Sequence, residues 1–262
     1  MTSVTPKDIS EDIAERGWRR QTITQPDGTT NDVQVPLTSE EFLHPQEGYH
    51  LPNSTFHDNA AGDVKDILTR RYATNPTAAV FRDLIIKWGI PDLGDHCPDT
   101  FVVFGVRNKE QIRSEFVVIE EGVRPALIVE VVSPRYRKED REIKVKHYAQ
   151  AAVPEYAIID RRQQRRQVIE EVLGYRLVDG QFLPLTPDEE GRILFETVGL
   201  WMGLQDGRIV MEDAQTGERL LTSLELEQRV TQAEQRAIQA EQRTARLEEF
   251  LRSQGINPDQ VE

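Results

Sequence analysis

Two short apolar runs, and the segment between them, constrain the fold more than any other part of this chain. "ALIVEVV" (126–132) and "EYAIID" (155–160) both read as strands, and "KEDREIKVKHYAQA" (138–151) between them reads as a helix. Acids sit in the first turn of that helix, where the helix dipole favours them. Pro134 closes the first strand and Pro154 stops the helix, because proline cannot donate to a central ladder. Strand, helix and strand in this order form a crossover unit, which implies parallel pairing and right-handed winding. An α/β architecture follows.

The flanking sequence extends this picture. Residues 1–50 carry little periodic signal and read as an N-terminal extension and linker. A helix is expected to begin near Ser54 or Thr55, either a suitable cap, with Ala60, Val64, Ile67, Leu68 and Tyr72 on one face. "AAVFRDLIIKW" (78–88) and "DTFVVFGV" (99–106) read as strands, and "FVVIEEG" as a short strand ending in a turn. Beyond Arg166 the pattern becomes short strands with turn signals, expected to be hairpins that extend the sheet. "QAEQR" occurs at 232–236 and again at 239–243. The columns Val230, Ala237, Thr244, Leu251 and Leu226, Ala233, Ala240, Leu247 make a heptad seam, the pattern of a coiled coil over 223–255. Residues 256–262 are expected to be a disordered C-terminus.

Glu130 interrupts the most apolar strand. A carboxylate buried there needs a partner or must take up a proton. An arginine such as Arg82 could neutralise it. So could a cation shared with Asp99, which opens the apolar run "DTFVVF". Two carboxylates at one point of a sheet repel unless a cation lies between them, and oxygen-only ligation suits magnesium. Such a metal can activate water and stabilise the charge that develops in phosphodiester cleavage. A nearby lysine would orient or deprotonate the water and offset phosphate charge. Asp140, Lys144 and Tyr148 are spaced four apart, on one helical stripe that could face Glu130. Each residue also has a plainer role. Asp99 could be a strand-start residue, Asp140 and Lys144 a solvent-facing pair, Tyr148 a core residue and His57 a helix-start or surface histidine.

Composition narrows the options. A net charge of −13 excludes a uniformly DNA-binding surface. Arg135–Lys146, however, holds six basic residues against three acids, and "RRQQRR" (161–166) adds four arginines. The single cysteine, Cys97, excludes an internal disulfide and a multi-cysteine zinc site. No apolar run is long enough to span a membrane and the N-terminus has no secretory pattern, so a cytoplasmic protein is expected. With aromatic content of 7%, a sugar-binding platform for a carboxylate-pair glycosidase ranks below a nuclease.

"PDTFVVF", "LIVEVVSP", the D-x-x-x-K-x-x-x-Y pattern at 140–148 and "AVPEYAIID" together resemble the Uma-two family of restriction-endonuclease-like proteins, within the PD-(D/E)xK nuclease superfamily. The resemblance runs over residues 38–222, through "PDEEGRILFETVGLWM" and "TGERLLT". It implies a restriction-endonuclease-like mixed sheet core with flanking helices over 51–222. It also implies a divalent metal, magnesium or manganese, on Asp99, Glu130 and the Val131 carbonyl. Val132 stands where the superfamily usually has its lysine, and a lysine from the next helix, Lys144, takes its place. The first helix offers His57, Asp58, Asp63 and Asp66 for a further acidic or ligating role. The resulting expectation is a magnesium-dependent DNA endonuclease that forms a homodimer or higher oligomer through its tail. The competing expectation is a non-cleaving nuclease-fold module that acts in binding or assembly.

Overall fold

The computed structural model describes residues 12–255. The expectations for residues 1–11, and for a disordered terminus over 256–262, lie outside the described residues. In chain order, strands β1 (Trp18–Thr24) and β2 (Thr30–Pro36) form an antiparallel hairpin, followed by a short helix Ser39–Leu43. Structure thus replaces much of the expected linker. The helix start is a capping box, with Thr38 accepting from the Glu41 N–H and the Glu41 carboxylate accepting from the Thr38 N–H.

A long helix, Thr55–Arg71, comes next, capped by Ser54, whose Oγ accepts from the His57 N–H at 3.1 Å. It precedes β3 (Ala78–Phe81), β4 (Ile85–Lys87), β5 (Thr100–Phe104), β6 (Glu115–Val117), β7 (Pro125–Val131), β8 (Glu155–Gln164), β9 (Gln167–Val178) and β10 (Gln181–Pro184). The expected single strand over 78–88 is two strands in different sheets. Asp83 adopts a left-handed backbone conformation, φ 49°, and turns the chain between them. β4 then pairs in parallel with β6, and a short helix, Val118–Glu121, follows β6.

The principal sheet has the order β10-β9-β8-β7-β5-β3. Its one parallel pair is β7 with β8, the pair joined by the crossover; every other neighbour is antiparallel. β7 is buried along both faces, which accounts for its nearly continuous apolar run. Leu127, Val129 and Val131 pack with Ala60, Ala61, Val64, Ile67 and Leu68 of the long helix. Ile128 and Val132 pack on the other face, with Tyr148, Tyr156 and Ile158.

The crossover departs from a regular α-helix. Glu139–Ile143 is a π-helical turn, and the α-helix proper is Lys144–Gln150. Downstream, β9 and β10 extend the sheet as expected. β11 (Ile193–Phe195), β12 (Leu200–Gln205), β13 (Arg208–Asp213) and β14 (Arg219–Leu220) instead form a separate four-stranded antiparallel sheet. It packs onto the principal sheet at Gly174, where an added Cβ would meet Ile193 Cγ2 at 2.5 Å. The chain divides into two compact units at Leu220/Leu221. The second holds the 31-residue helix Ser223–Ser253, started by a capping box of Thr222 and Glu225, with no buried residue.

Half of the six cations of the basic stretch after β7, Arg137, Arg141 and Lys144, are engaged inside the fold, while Arg135, Lys138 and Lys146 are exposed. Asp160, fully buried in β8, accepts on Oδ2 from Arg141 at 2.6 Å and Arg162 at 2.8 Å, and also from Arg137. Arg141 continues to Glu171 at 2.8 Å. Two of the three arginines flank or occupy the π turn, so Asp160 ties the crossover to the sheet. Asp160→Ala removes this anchor and is expected to lower unfolding free energy by about 1.5–3 kcal/mol, read from the urea midpoint. An unchanged midpoint would show that the arginines hold the turn without it.

Candidate active site

Thr100 pairs with Val129 in the antiparallel ladder of β5 and β7. The next step of that register sets Asp99 opposite Glu130, with both on one face of the sheet. Asp99 and Glu130 are 7% and 2% exposed. They line a cleft of about 330 Å³ together with Asp83, Asp140, Lys144 and His57. Phe42 and Leu43 border the same cleft from the N-terminal region.

Each carboxylate has defined partners. Asp99 Oδ2 accepts from the Val131 N–H at 2.6 Å, and Asp99 Oδ1 lies 3.1 Å from His57 Nε2. Glu130 Oε1 accepts from the Tyr148 hydroxyl at 2.6 Å and lies 3.0 Å from Lys144 Nζ. Lys144 Nζ also lies 2.9 Å from Asp140 Oδ1, and the other Asp140 oxygen accepts from the Ser133 N–H at 3.2 Å. The ammonium sits 4.8 Å from the centre of the Phe42 ring. Asp140, Lys144 and Tyr148 therefore do face Glu130, as their spacing suggested. The π turn lets Asp140 bond the backbone just after β7 while still reaching Lys144.

Sequence reasoning placed two residues differently. Arg82 does not pair with Glu130; it engages Asp58 at 2.5 Å and Asp83 at 3.1 Å. His57 does stand at the helix start, but it is largely buried against Asp99 instead of lying at the surface. Its position three residues past the Ser54 cap aims it from the helix start toward the end of β5. Only the packing of that helix on the sheet could reveal this. Of the other first-helix acids, Asp58 meets Arg82 and Asp63 lies 3.2 Å from Arg208.

The electrostatics follow from burial. Burial pushes the Glu130 carboxyl up; Lys144 opposes this, Asp99 and Asp140 reinforce it, and the result is about 8. Asp140 is raised too, by burial first. Burial also works against the Asp99 carboxylate, but His57 beside it outweighs that and holds it below its ordinary value. Lys144 is raised despite burial, because Asp140, Glu130 and Asp99 surround it. The cleft is therefore acid-rich, with one ammonium held firmly in its charged form. Two carboxylates and the peptide of Val131 meet at its floor. An oxygen donor set of this kind, with surplus negative charge, fits a hard divalent cation.

The protein is thus of the mixed α/β class, with paired carboxylates and a crossover lysine in one cleft. Residues 49–205, more than half of the chain, match the Uma2 family, described as "Putative restriction endonuclease". The chain belongs to that family. A similar solved structure is described as a putative nuclease belonging to DUF820 from Anabaena variabilis ATCC 29413. It has 14% identity and a TM-score of 0.43, and the match covers 62% of this chain and 91% of that one. No curated protein matches the sequence. Among the described residues, no helix is long and apolar enough to cross a membrane.

The raised Glu130 value has a consequence for the metal-free protein. Below its ordinary value of 4.5 the carboxyl is protonated folded or unfolded. Between there and about 8, only the folded state keeps the proton, so stability falls as pH rises through that window. With chelator present, the urea midpoint of the wild type is expected to drop over this range relative to that of Glu130→Gln. Parallel pH profiles would show that Glu130 is not held in its neutral form.

Proposed function

We propose that this chain hydrolyses phosphodiester bonds in DNA as an endonuclease, using magnesium or manganese held by Asp99 and Glu130, with the Val131 carbonyl as a further ligand. One observation carries the reading: the cross-strand carboxylate pair has the Lys144 ammonium 3.0 Å from Glu130, inside an acid-rich cleft. The cation, when bound, supplies a Lewis acid toward phosphate oxygen and lowers the pKa of water. Lys144 remains protonated, so it donates to the attacking water and offsets phosphate charge rather than taking a proton. Water oxygen bonds to phosphorus and gives up one proton to solvent, the bond to the leaving oxygen breaks, and that oxygen takes up a proton from solvent. The Tyr148 hydroxyl fixes the Glu130 carboxylate, and His57 and the Val131 N–H fix that of Asp99. The proposed catalytic unit takes in 51–222 together with the Phe42–Leu43 border of the cleft. Exposed Lys138 and Lys146 on the crossover, and Arg165 and Arg166 at the turn after β8, are the cations offered to the DNA backbone.

The test is cleavage of plasmid DNA with manganese present. Asp99→Ala and Glu130→Ala should each reduce the rate by at least about 100-fold, the scale of losing one preorganised electrostatic group. Full cleavage by either variant would end the shared-cation reading.

A second reading draws on the C-terminal helix: a non-cleaving module that acts in assembly. The helix leaves Leu224, Val230, Ile238, Leu247 and Phe250 more than half exposed, and of these Val230 and Leu247 lie in the two heptad columns. Either reading assigns the helix the same partner, a second copy of this chain, because "QAEQR" repeats with a shift of seven. Val230→Glu with Leu247→Glu should convert the protein to monomers in sedimentation while leaving its helical circular dichroism largely intact. A wild type that already sediments as a monomer would remove this assignment.

A further inference from the structure

A second cluster lies outside the carboxylate site. His44, His96 and His147 bring one ring nitrogen each within 4.8 Å of one another. His44 follows the helix Ser39–Leu43, His96 lies in the loop before β5, and His147 is on the crossover helix. His96 is fully buried.

The hydrogen bonds indicate where the protons are. Trp88 Nε1 can only donate, so His96 Nδ1 accepts from it at 2.9 Å. The proton of a neutral His96 is then on Nε2, 2.9 Å from His147 Nδ1, which accepts it. His44 Nδ1 lies 2.9 Å from the Asp95 carbonyl, which takes the His44 proton and leaves Nε2 with its lone pair free. An imidazole whose other N–H is fixed by a backbone carbonyl is the usual form of a histidine metal ligand. Two bare nitrogens thus converge with one N–H. Burial and neighbouring positive charge hold His96 and His147 below the ordinary imidazole value, so both rings are neutral, as ligation requires. Glu40, one helical turn before His44, has a carboxylate oxygen 3.9 Å from His44 Nε2.

We infer that His44, His96 and His147 form a site for a borderline-soft divalent metal of the zinc type, with Glu40 or water in the fourth position. Three imidazoles with a carboxylate or water suit tetrahedral zinc, whereas the oxygen donors of Asp99 and Glu130 suit magnesium. The metal takes the place of the His96 Nε2 proton. That proton moves to Nδ1, so the Trp88 indole N–H, 2.9 Å from it, has to turn aside. The Trp88 indole N–H then loses its acceptor. No proton is released to solvent.

The position of the site explains what the metal does. Phe42 is two residues before His44, Asp99 three after His96, and Lys144 three before His147. One ion therefore cross-links the three segments that deliver the cleft border, one carboxylate and the lysine. Its role is to hold the cleft in register.

The experiment titrates zinc, and separately cobalt, into chelator-treated full-length protein. One ion per chain should bind. Cobalt should give the intense visible absorption of a tetrahedral site, and one of the three tryptophan indole N–H signals in a nitrogen–proton correlation spectrum should move. His44→Gln and His147→Gln should each weaken zinc binding by more than about 100-fold, beyond what altering outer-shell partners causes. Glu130→Gln should bind zinc as the wild type does. Absence of zinc binding, binding unaffected by both histidine variants, or binding lost in Glu130→Gln would each overturn the assignment; the last would place the ion at the carboxylates. Should the histidine variants fail to fold, X-ray absorption of zinc-loaded wild type decides. Three imidazole nitrogens at about 2.0–2.1 Å support the site, and a mainly oxygen shell overturns it.

Discussion

The contact on which the site depends is the buried triad of Glu130, Lys144 and Asp140. Lys144 Nζ stands 3.0 Å from one carboxylate and 2.9 Å from the other, and all three side chains are nearly inaccessible. Taking three charges out of water costs several kcal/mol per ion, and the attraction among them repays this only if the remaining donors and acceptors are satisfied. Two further bonds contribute: the Tyr148 hydroxyl donates to Glu130 Oε1, and the Ser133 N–H to Asp140. With both carboxyls ionised the triad would carry one negative charge more than it neutralises, with Asp99 adding another nearby, and without a cation Glu130 meets this by keeping its proton. A cation at the floor of the cleft would resolve an imbalance that apolar packing cannot.

The surrounding structure keeps that triad in place. Lys144 comes from the crossover, so its position depends on how the crossover is fastened to the sheet. Asp160 does this from β8 through Arg137 and Arg141, either side of the triad's Asp140. On the opposite face the long helix packs Ala60, Val64 and Leu68 against β7, which fixes the height of its own start. His57 therefore reaches Asp99 from one side of the sheet while Lys144 reaches Glu130 from the other. Stiffness follows from this two-sided support. The floor of the cleft lies within a six-stranded sheet, with Asp99 bonded to the long helix and to β7, and Glu130 to the crossover.

Much of the centre was legible in sequence because it obeys strong local rules. A central strand reads as an unbroken apolar run, so one acid within it stands out. A crossover helix shows a four-residue spacing, so Asp140, Lys144 and Tyr148 could be put on one stripe. Features set by long-range packing were not legible. His57 has no local signal that separates it from a surface histidine. The break in 78–88 depends on a left-handed Asp83, which neighbouring apolar residues mask. The strands after β10 have the same hairpin pattern whether they extend one sheet or start another. Gly174, which admits Ile193 against the principal sheet, is the one residue that hints at the outcome. The capping box at Thr38 and Glu41 was visible in principle, but the helix it starts is only five residues long, too short to show periodicity.

Val132 shows what a charged side chain at that strand position would meet. That position lies on the same face as Glu130 but is 5% exposed, in an apolar cluster with Ile128, Tyr148 and Ile158. A lysine there would begin inside the core and would have to displace Tyr148, the hydroxyl donor to Glu130, to reach the cleft. Moving the ammonium to residue 144 leaves that cluster apolar and gives the cation a second carboxylate, Asp140. The geometry this requires is not that of a regular helix. Asp140 must turn back to the Ser133 N–H while Lys144 points at Glu130, and the π turn over Glu139–Ile143 provides the extra backbone width to do both. The irregular turn and the apolar Val132 are thus two sides of one constraint: the charge needed at the sheet has to come from outside it.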